Sequence, residues 1–294
     1  MATAALDDST VGTVAFGDIV VRRLGFGAMR VSGARNTQGV RDRAEAVRLC
    51  RVVADRGVNL IDTANIYGYG QSEEIIAEAL HPYRGMLIAT KAGFKPGKIA
   101  PGETSLPPLG HPDHIREECD KSLLRLRVDV IDVYQVHVPD PAVPYEETVG
   151  AFVALQQAGK VRHIGVCNVT PNQLATARSL CNVVSVQNRY NVGDRASESV
   201  LETCEREGIA FMPWGPLLVD GTASEILVQA AVAHHATPQQ VALAWLLHRS
   251  AVMAPIPGTT NVDHADANVD AAWLELTAAE LAALARPGQR SDGQ

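Results

Sequence analysis

Short apolar runs recur along this chain at intervals that leave room for a helix between each pair. They span residues 24–27, 58–61, 86–89, 130–136, 161–166, 183–186, 209–212 and 252–256. Runs this short, rich in Val and Ile and bounded by Gly, Pro or Asp, read as buried strands. Between them the apolar positions take a helical period over 43–55, 72–80, 113–125, 145–158, 171–180, 197–207, 224–235, 238–249, 262–271 and 278–285. Asp42 is placed to cap the first of these. Ser72-Glu73-Glu74 opens the second with acids, Pro171 follows Thr170, and Gly159 and Gly208 close their helices. Ahead of the series, 11–16 and 19–21 flank Gly17-Asp18 and predict a hairpin.

Eight strands alternating with helices predict an α/β chain folded as a (β/α)8 barrel, with right-handed crossovers. A doubly wound open sheet is the competing arrangement. Two helices fall between strands seven and eight, so extra helices are expected near the C-terminus. Nothing in the composition divides residues 1–294, which predicts one barrel domain with loose ends at 1–10 and 287–294. Two proline-rich loops, 93–110 and 138–144, are long for barrel connections and are expected to shape a site.

Composition narrows the function classes. Hydrophobic residues make up 46% and aromatics only 5%, so the core must be aliphatic, as in parallel sheets. The net charge of −7 and scattered basic residues argue against a nucleic-acid partner. No apolar run approaches the roughly 20 residues of a membrane span. The start is small and acidic, unlike an export signal, and the five cysteines are scattered without a CxxC, which together predict a cytoplasmic protein with free thiols. His111, His114 and the pair His234-His235 lack metal-site spacing, so no metal is expected. Gly25-Phe26-Gly27 lacks the third glycine of a dinucleotide fingerprint, Arg30 standing there.

In a barrel the chemistry lies at the C-terminal ends of the strands. Strand two ends on Asp62, and Tyr67 lies in the loop beyond. Strand three ends at Lys91 and strand four at His137. Each alone has a plain structural explanation: a loop cap, a solvated strand end, a core histidine. Together they place an acid, a phenol, an amine and an imidazole at one mouth. An ammonium favours the phenolate, a carboxylate holds the ammonium, and an imidazole orients a carbonyl oxygen. Such a set suits protonation of an oxygen that is gaining charge.

These residues and eight stretches in order resemble the aldo-keto reductase superfamily. The stretches are Leu24-Gly25-Phe26-Gly27-Ala28-Met29, Ile61-Asp62-Thr63-Ala64-Asn65-Ile66-Tyr67-Gly68, Ala89-Thr90-Lys91, Gln135-Val136-His137, Ile164-Gly165-Val166-Cys167-Asn168, Val186-Gln187-Asn188, Pro213-Trp214-Gly215-Pro216-Leu217 and Ile256-Pro257-Gly258-Thr259. The resemblance implies a barrel closed at its base by the N-terminal hairpin. It implies a nicotinamide cofactor, usually NADP(H), bound across the mouth without a Rossmann domain. It assigns Tyr67 as general acid, Lys91 as the group lowering its pKa, Asp62 as the anchor of Lys91, and His137 as the orienter of a small-molecule carbonyl substrate. Asn168 and Gln187 would meet the nicotinamide amide, Trp214 would stack on its ring, and Gly215, Pro216 and Leu217 would line the pyrophosphate. Gly258, Thr259 and Thr260, at a helix start, would meet the adenosine phosphate, and Asn268 the adenine. Gly27, Met29, Asp62 and Cys167 complete the implied cofactor-binding set, with His264.

Three features depart from the family pattern. Gly258 and His264 stand where a basic residue is usual, with Asn261 and Ala267 nearby, so NAD(H) is also admissible. Cys167 stands where Ser is usual. The tail 286–294 is short and polar, unlike an aromatic substrate lid. The Ala-rich chain and Asn168-Val169-Thr170-Pro171 resemble bacterial branches that include pyridoxal reductases. Two other classes of function fit some of these residues: a Schiff-base aldolase using Lys91, and a non-catalytic nicotinamide-binding regulatory subunit. The sequence is silent on oligomeric state.

Overall fold

The computed structural model describes residues 4–32, 42–97, 105–218 and 222–285. A one-turn helix α1 (Asp8–Val11) leads into the hairpin β1 (Thr13–Phe16) and β2 (Ile19–Arg22). The predicted turn falls at Gly17, whose φ of 67° suits a residue without a Cβ. Seven parallel strands follow: β3 (Phe26–Gly27), β4 (Leu60–Asp62), β5 (Leu87–Ala92), β6 (Ile131–Val136), β7 (Val161–Cys167), β8 (Val183–Gln187) and β9 (Ala210–Phe211), in that spatial order. Six connections between them carry the helices α2 (Arg43–Asp55), α3 (Gln71–Leu80), α4 (Pro112–Leu126), α5 (Tyr145–Gln157), α6 (Pro171–Leu180) and α7 (Glu198–Glu207).

The ring closes through residues 252–257, where Met253 forms an isolated parallel bridge with Phe211. Phe211 donates its N–H to Val252 O at 2.8 Å, and Ala254 donates to Phe211 O at 2.8 Å. On the other side Gly25 donates to Pro255 O and Gly27 to Pro257 O, at 2.9 and 3.2 Å. The expected eighth strand is therefore a short irregular stave, as two prolines without N–H groups dictate. Gly27 and Gly258 make the approach possible. A Cβ on Gly27 would lie 2.7 Å from Ile256 O, and one on Gly258 would lie 2.5 Å from Gly27 O.

Alternation along the strands gives the barrel two faces. Leu60, Leu87, Ala89, Val133, Val184, Ala210, Met212, Ala254 and Ile256 face inward at the base and pack with Val14, Phe16 and Val21 of the hairpin. The hairpin thus plugs the N-terminal end of the strands. Two helices, α8 (Thr222–Ala233) and α9 (Pro238–Arg249), precede the closing stave, as predicted, and α10 (Val262–Asp270) and α11 (Ala278–Ala285) complete the chain. The caps were legible. Asp42 accepts from the Ala44 N–H at 2.8 Å, and Thr170 forms a reciprocal capping box with Gln173 ahead of α6.

At the amino terminus, residues 6–10 make local and long-range contacts. Leu6 is buried and donates to Arg56 O, while Asp7 caps α1. The tail 287–294 and residues 98–104 of the first long loop lie outside the described residues. The second long loop is tied down: Asp140 accepts from the Gly110 N–H at 2.8 Å and the Ala142 N–H at 2.9 Å.

Candidate active site

The inward alternation that packs Leu60, Ala89 and Val133 continues one step toward the C-terminal ends. It delivers Asp62, Lys91 and Gln135 to the same face. Lys91 has no exposed surface. Its Nζ lies 2.7 Å from Asp62 Oδ1 and 2.8 Å from Oδ2, and donates to Thr63 O at 2.8 Å. The ammonium stands 5.2 Å from the centroid of the Tyr67 ring. His137, nearly buried, meets that ring edge-on with centroids 5.9 Å apart and an interplanar angle of 82°. The Phe94 ring also meets His137 edge-on, at 4.7 Å and 79°. The four residues predicted at the strand ends are therefore brought together at one point.

Burial opposes the charge on Lys91, but the Asp62 carboxylate, with the Tyr67 and Cys167 groups beside it, outweighs burial and raises the ammonium above its ordinary pKa. Burial pushes the Tyr67 phenol above its usual value. The Lys91 charge and a hydrogen bond from it work the other way, while the Asp62 charge adds to the rise. Lys91 thus offsets part of the cost of ionising a buried phenol.

Beneath this group lies a polar layer in which sequence reasoning gave roles to Gln187 and Cys167 but none to Gln135 and Ser185. Gln135 donates to Ser185 Oγ at 3.0 Å, and Gln187 donates to Asp62 Oδ1 at 2.8 Å. Cys167 donates its thiol to Gln135 Oε1 at 3.7 Å. Gly165 leaves room for this layer, since a Cβ there would lie 2.3 Å from Ser185 Oγ. The missed signal was period two: Val133, Gln135 and His137 share a face, and a glutamine there interrupts an apolar strand. Cys167 is buried and its thiol is pushed above the ordinary value by burial, so it is held protonated rather than reactive.

Asn168 takes a left-handed φ of 56° at the end of β7. Its Nδ2 donates to His137 O at 2.9 Å, and its Oδ1 accepts from Trp214 Nε1 at 2.8 Å. Trp214 is half-buried rather than a core residue, with the Arg189 guanidinium 5.7 Å from its ring centre. Gly215 follows at φ 64°, and its carbonyl accepts from Asn191 Nδ2 at 3.0 Å; Pro216 is buried and Leu217 half-buried. Met29 is exposed beyond β3. Gly27 and Gly258 have the packing role given above. Thr259 and Asn268 are buried, Thr260 is half-buried and His264 is exposed. Asn261 caps α10, its side chain accepting from the Asp263 and His264 N–H groups at 2.7 and 3.2 Å.

A buried ammonium chelated by a strand-end carboxylate, facing a phenol and an imidazole, is the arrangement the sequence resemblance implied. The aldo/keto reductase family model matches residues 23–286. The chain belongs to that family. It is 40% identical over 295 residues to an uncharacterised oxidoreductase of Schizosaccharomyces pombe, covering all of this chain and 95% of that one. It is 38% identical over 284 residues to pyridoxine 4-dehydrogenase of Escherichia coli, covering 92% and 96%. Among solved structures it resembles a thermostable aldo-keto reductase in complex with the inhibitor epalrestat, with a TM-score of 0.79 and 29% identity over 92% of this chain and 98% of that one. It also resembles an aldo/keto reductase from Klebsiella pneumoniae in complex with NADP and acetate, with a TM-score of 0.77 and 28% identity over 95% and 96%.

Three of the histidines set aside as metal ligands have local partners. His111 caps α4 by accepting from the Asp113 N–H, His114 Nε2 contacts Phe94 O at 3.2 Å, and His234 pairs with Glu280 at 2.9 Å. No helix among the described residues is long and apolar enough to cross a membrane.

Proposed function

We propose that this protein is an NADPH-dependent reductase of aldehydes or ketones. The observation that carries the reading is the Lys91 ammonium, fully buried between Asp62 and Thr63 O and set over Tyr67. The residues present fit a nicotinamide cofactor. The Asn168 amide uses one donor hydrogen on His137 O and one acceptor lone pair on Trp214 Nε1, and an amide carries two donors and two acceptor lone pairs. Asn168 therefore retains capacity for a carboxamide, and the half-buried Trp214 offers a flat face beside it. Bound there, a nicotinamide would supply the hydride for the carbonyl carbon.

The chain's own residues do the rest. His137, held between the Tyr67 and Phe94 rings, orients the carbonyl oxygen toward the phenol. Tyr67 gives its proton to that oxygen as negative charge develops. Lys91 stabilises the phenolate that remains, and Asp62 fixes the ammonium. Alcohol oxidation runs through the same groups in reverse, with the phenolate as base.

Lys91 does not suit a Schiff-base nucleophile, because its pKa is raised and the amine stays charged. The intact set of four favours turnover over a regulatory subunit that only holds the cofactor. The free cysteines suit a reducing, cytoplasmic setting. Pyridoxal is the first substrate to assay, given the resemblance to a pyridoxine 4-dehydrogenase. Loss of the reduced nicotinamide's near-ultraviolet absorbance, measured over a panel of carbonyls with NADPH and NADH, tests the proposal. Turnover of at least one carbonyl is expected. Tight cofactor binding without any turnover would overturn it in favour of the regulatory role.

A further inference from the structure

The loop that joins Asp62 to Tyr67 is held at its midpoint by a buried group outside the barrel. Asn65 lies three residues after the acid and two before the phenol. Its N–H donates to Lys91 O at 3.2 Å, so the loop continues the parallel ladder begun by Thr63, whose N–H donates to Ala89 O at 2.8 Å. Its side chain points away from the substrate mouth, and Nδ2 donates to Glu118 Oε2 on α4 at 2.7 Å. Both residues are buried, at 3% and 4% exposure.

Glu118 belongs to a larger cluster. Arg125, two turns further along α4, donates to Glu73 Oε2 at 2.5 Å and approaches Glu118 at 4.0 Å. Glu73, with no exposed surface, accepts from Thr90 Oγ1 at 2.6 Å, and Thr90 precedes Lys91 on β5. Glu73 also lies in the first turn of α3, directly after the Tyr67 loop. Burial raises the Glu118 carboxyl, but the Asn65 amide and the Lys121 ammonium outweigh it, so the group stays ionised. One outer helix therefore grips the Tyr67 loop through Asn65 and the Lys91 strand through Glu73 and Thr90. A charged clamp of this kind is costly to bury unless satisfied, and an apolar pair would fill the space at lower cost.

We propose that the Glu118–Asn65 hydrogen bond is a positioning device, setting the distance between the Tyr67 phenol and the Lys91 ammonium from behind the barrel wall. Asn65 and Glu118 touch neither the reacting atoms nor each other's catalytic neighbours' head groups; they act through the loop backbone. The inference rests on the carbonyl-reductase reading for its kinetic consequence, but not for its geometric one.

The test uses Asn65→Asp, Glu118→Gln and the two combined, in the full chain. Asn65→Asp sets two carboxylates against each other. The combination restores a hydrogen bond with donor and acceptor exchanged. Asn65→Asp is expected to lower kcat for carbonyl reduction about 10²-fold, the loss that an ångström of misplacement brings. KM and NADPH affinity, read by quenching of tryptophan fluorescence, should change less than about threefold, a split that general weakening of the fold does not produce. The combination should recover most of the lost kcat. Asn65→Ala, which removes the bond without adding charge, guards against misfolding of the aspartate variant, and should show the same split.

A crystal structure of Asn65→Ala gives the readout that does not depend on turnover. The 5.2 Å separation of Lys91 Nζ from the Tyr67 ring should lengthen by about an ångström. An unchanged separation, or an active parent whose kcat survives Asn65→Ala, would overturn the positioning role and leave the reductase reading intact. A parent that turns over no carbonyl, with the separation lengthened in the variant, would sink the reductase reading alone.

Discussion

An ammonium with no exposed surface needs partners for its three donors, and Lys91 has both carboxylate oxygens of Asp62 and the Thr63 carbonyl within 2.8 Å. That requirement explains why a strand ends on an acid in an otherwise apolar sequence. It also makes the pair fragile. Lys91→Met leaves the Asp62 carboxylate buried and unpaired, which costs about 3–5 kcal/mol, and leaves the phenol unassisted. A lower melting temperature and a rate loss of about 10²–10⁴-fold are expected together. A variant that keeps its full rate would remove Lys91 from the account.

The same residues fix the pH dependence. On the proposed mechanism reduction needs Tyr67 protonated, and burial raises the phenol above its ordinary value despite Lys91. The reductive rate should therefore be flat through neutral pH and fall only as the pH rises through that raised value. Alcohol oxidation, which needs the phenolate, should climb over the same alkaline range. A reductive profile that falls between about pH 6 and 8, where histidine titrates, would place proton transfer elsewhere.

At the scale of elements, the closing stave shows what an apolar pattern leaves out. Residues 252–256 read as a strand, yet prolines at 255 and 257 leave gaps in the ladder, and the contact relies on close packing of two glycines instead. Gly27→Ala places a methyl 2.7 Å from Ile256 O, a backbone atom that cannot turn aside. A loss of about 1–3 kcal/mol, measured by denaturant unfolding, is expected from such overpacking. A neutral result would show that the stave moves freely away from β3. Caps and helix starts were legible because they are local: Asp42, Thr170 and Gly208 each act within four residues of their own position. The polar layer under the site was not. Gln187 meets Asp62 across 125 residues and Glu118 meets Asn65 across 53, separations that no local period records.

Across the whole molecule, the barrel was legible because eight strands and their helices repeat one period. The hairpin was legible as a hairpin from its own turn, but its place under the barrel came only with the family resemblance. Phe16 shares a buried cluster with Leu60, Leu87 and Val133, which lie far apart in the chain. The mouth's long loop was not legible as a shape, for prolines set local angles and not destinations. Ligand linkage is a property at this scale. NADPH at a hundred times its Kd should stabilise the fold by about 2.7 kcal/mol, or roughly 4 °C in melting temperature for a chain of this size. Asn261 already accepts two N–H groups of the α10 start, and His264 stands there where the family resemblance implies a fixed cation. NADH should then protect nearly as well as NADPH. Protection by NADPH alone would show a phosphate site made by other residues.

The account rests on proton donation by Tyr67, and one substitution tests it most directly. In Tyr67→Phe the ring contact with His137 is retained while the proton is removed. Cofactor binding, read by tryptophan quenching, should be unchanged, and NADPH oxidation by any carbonyl the parent reduces should fall by at least about 10²–10⁴-fold. Turnover at the parental rate in a variant that binds NADPH normally would contradict it.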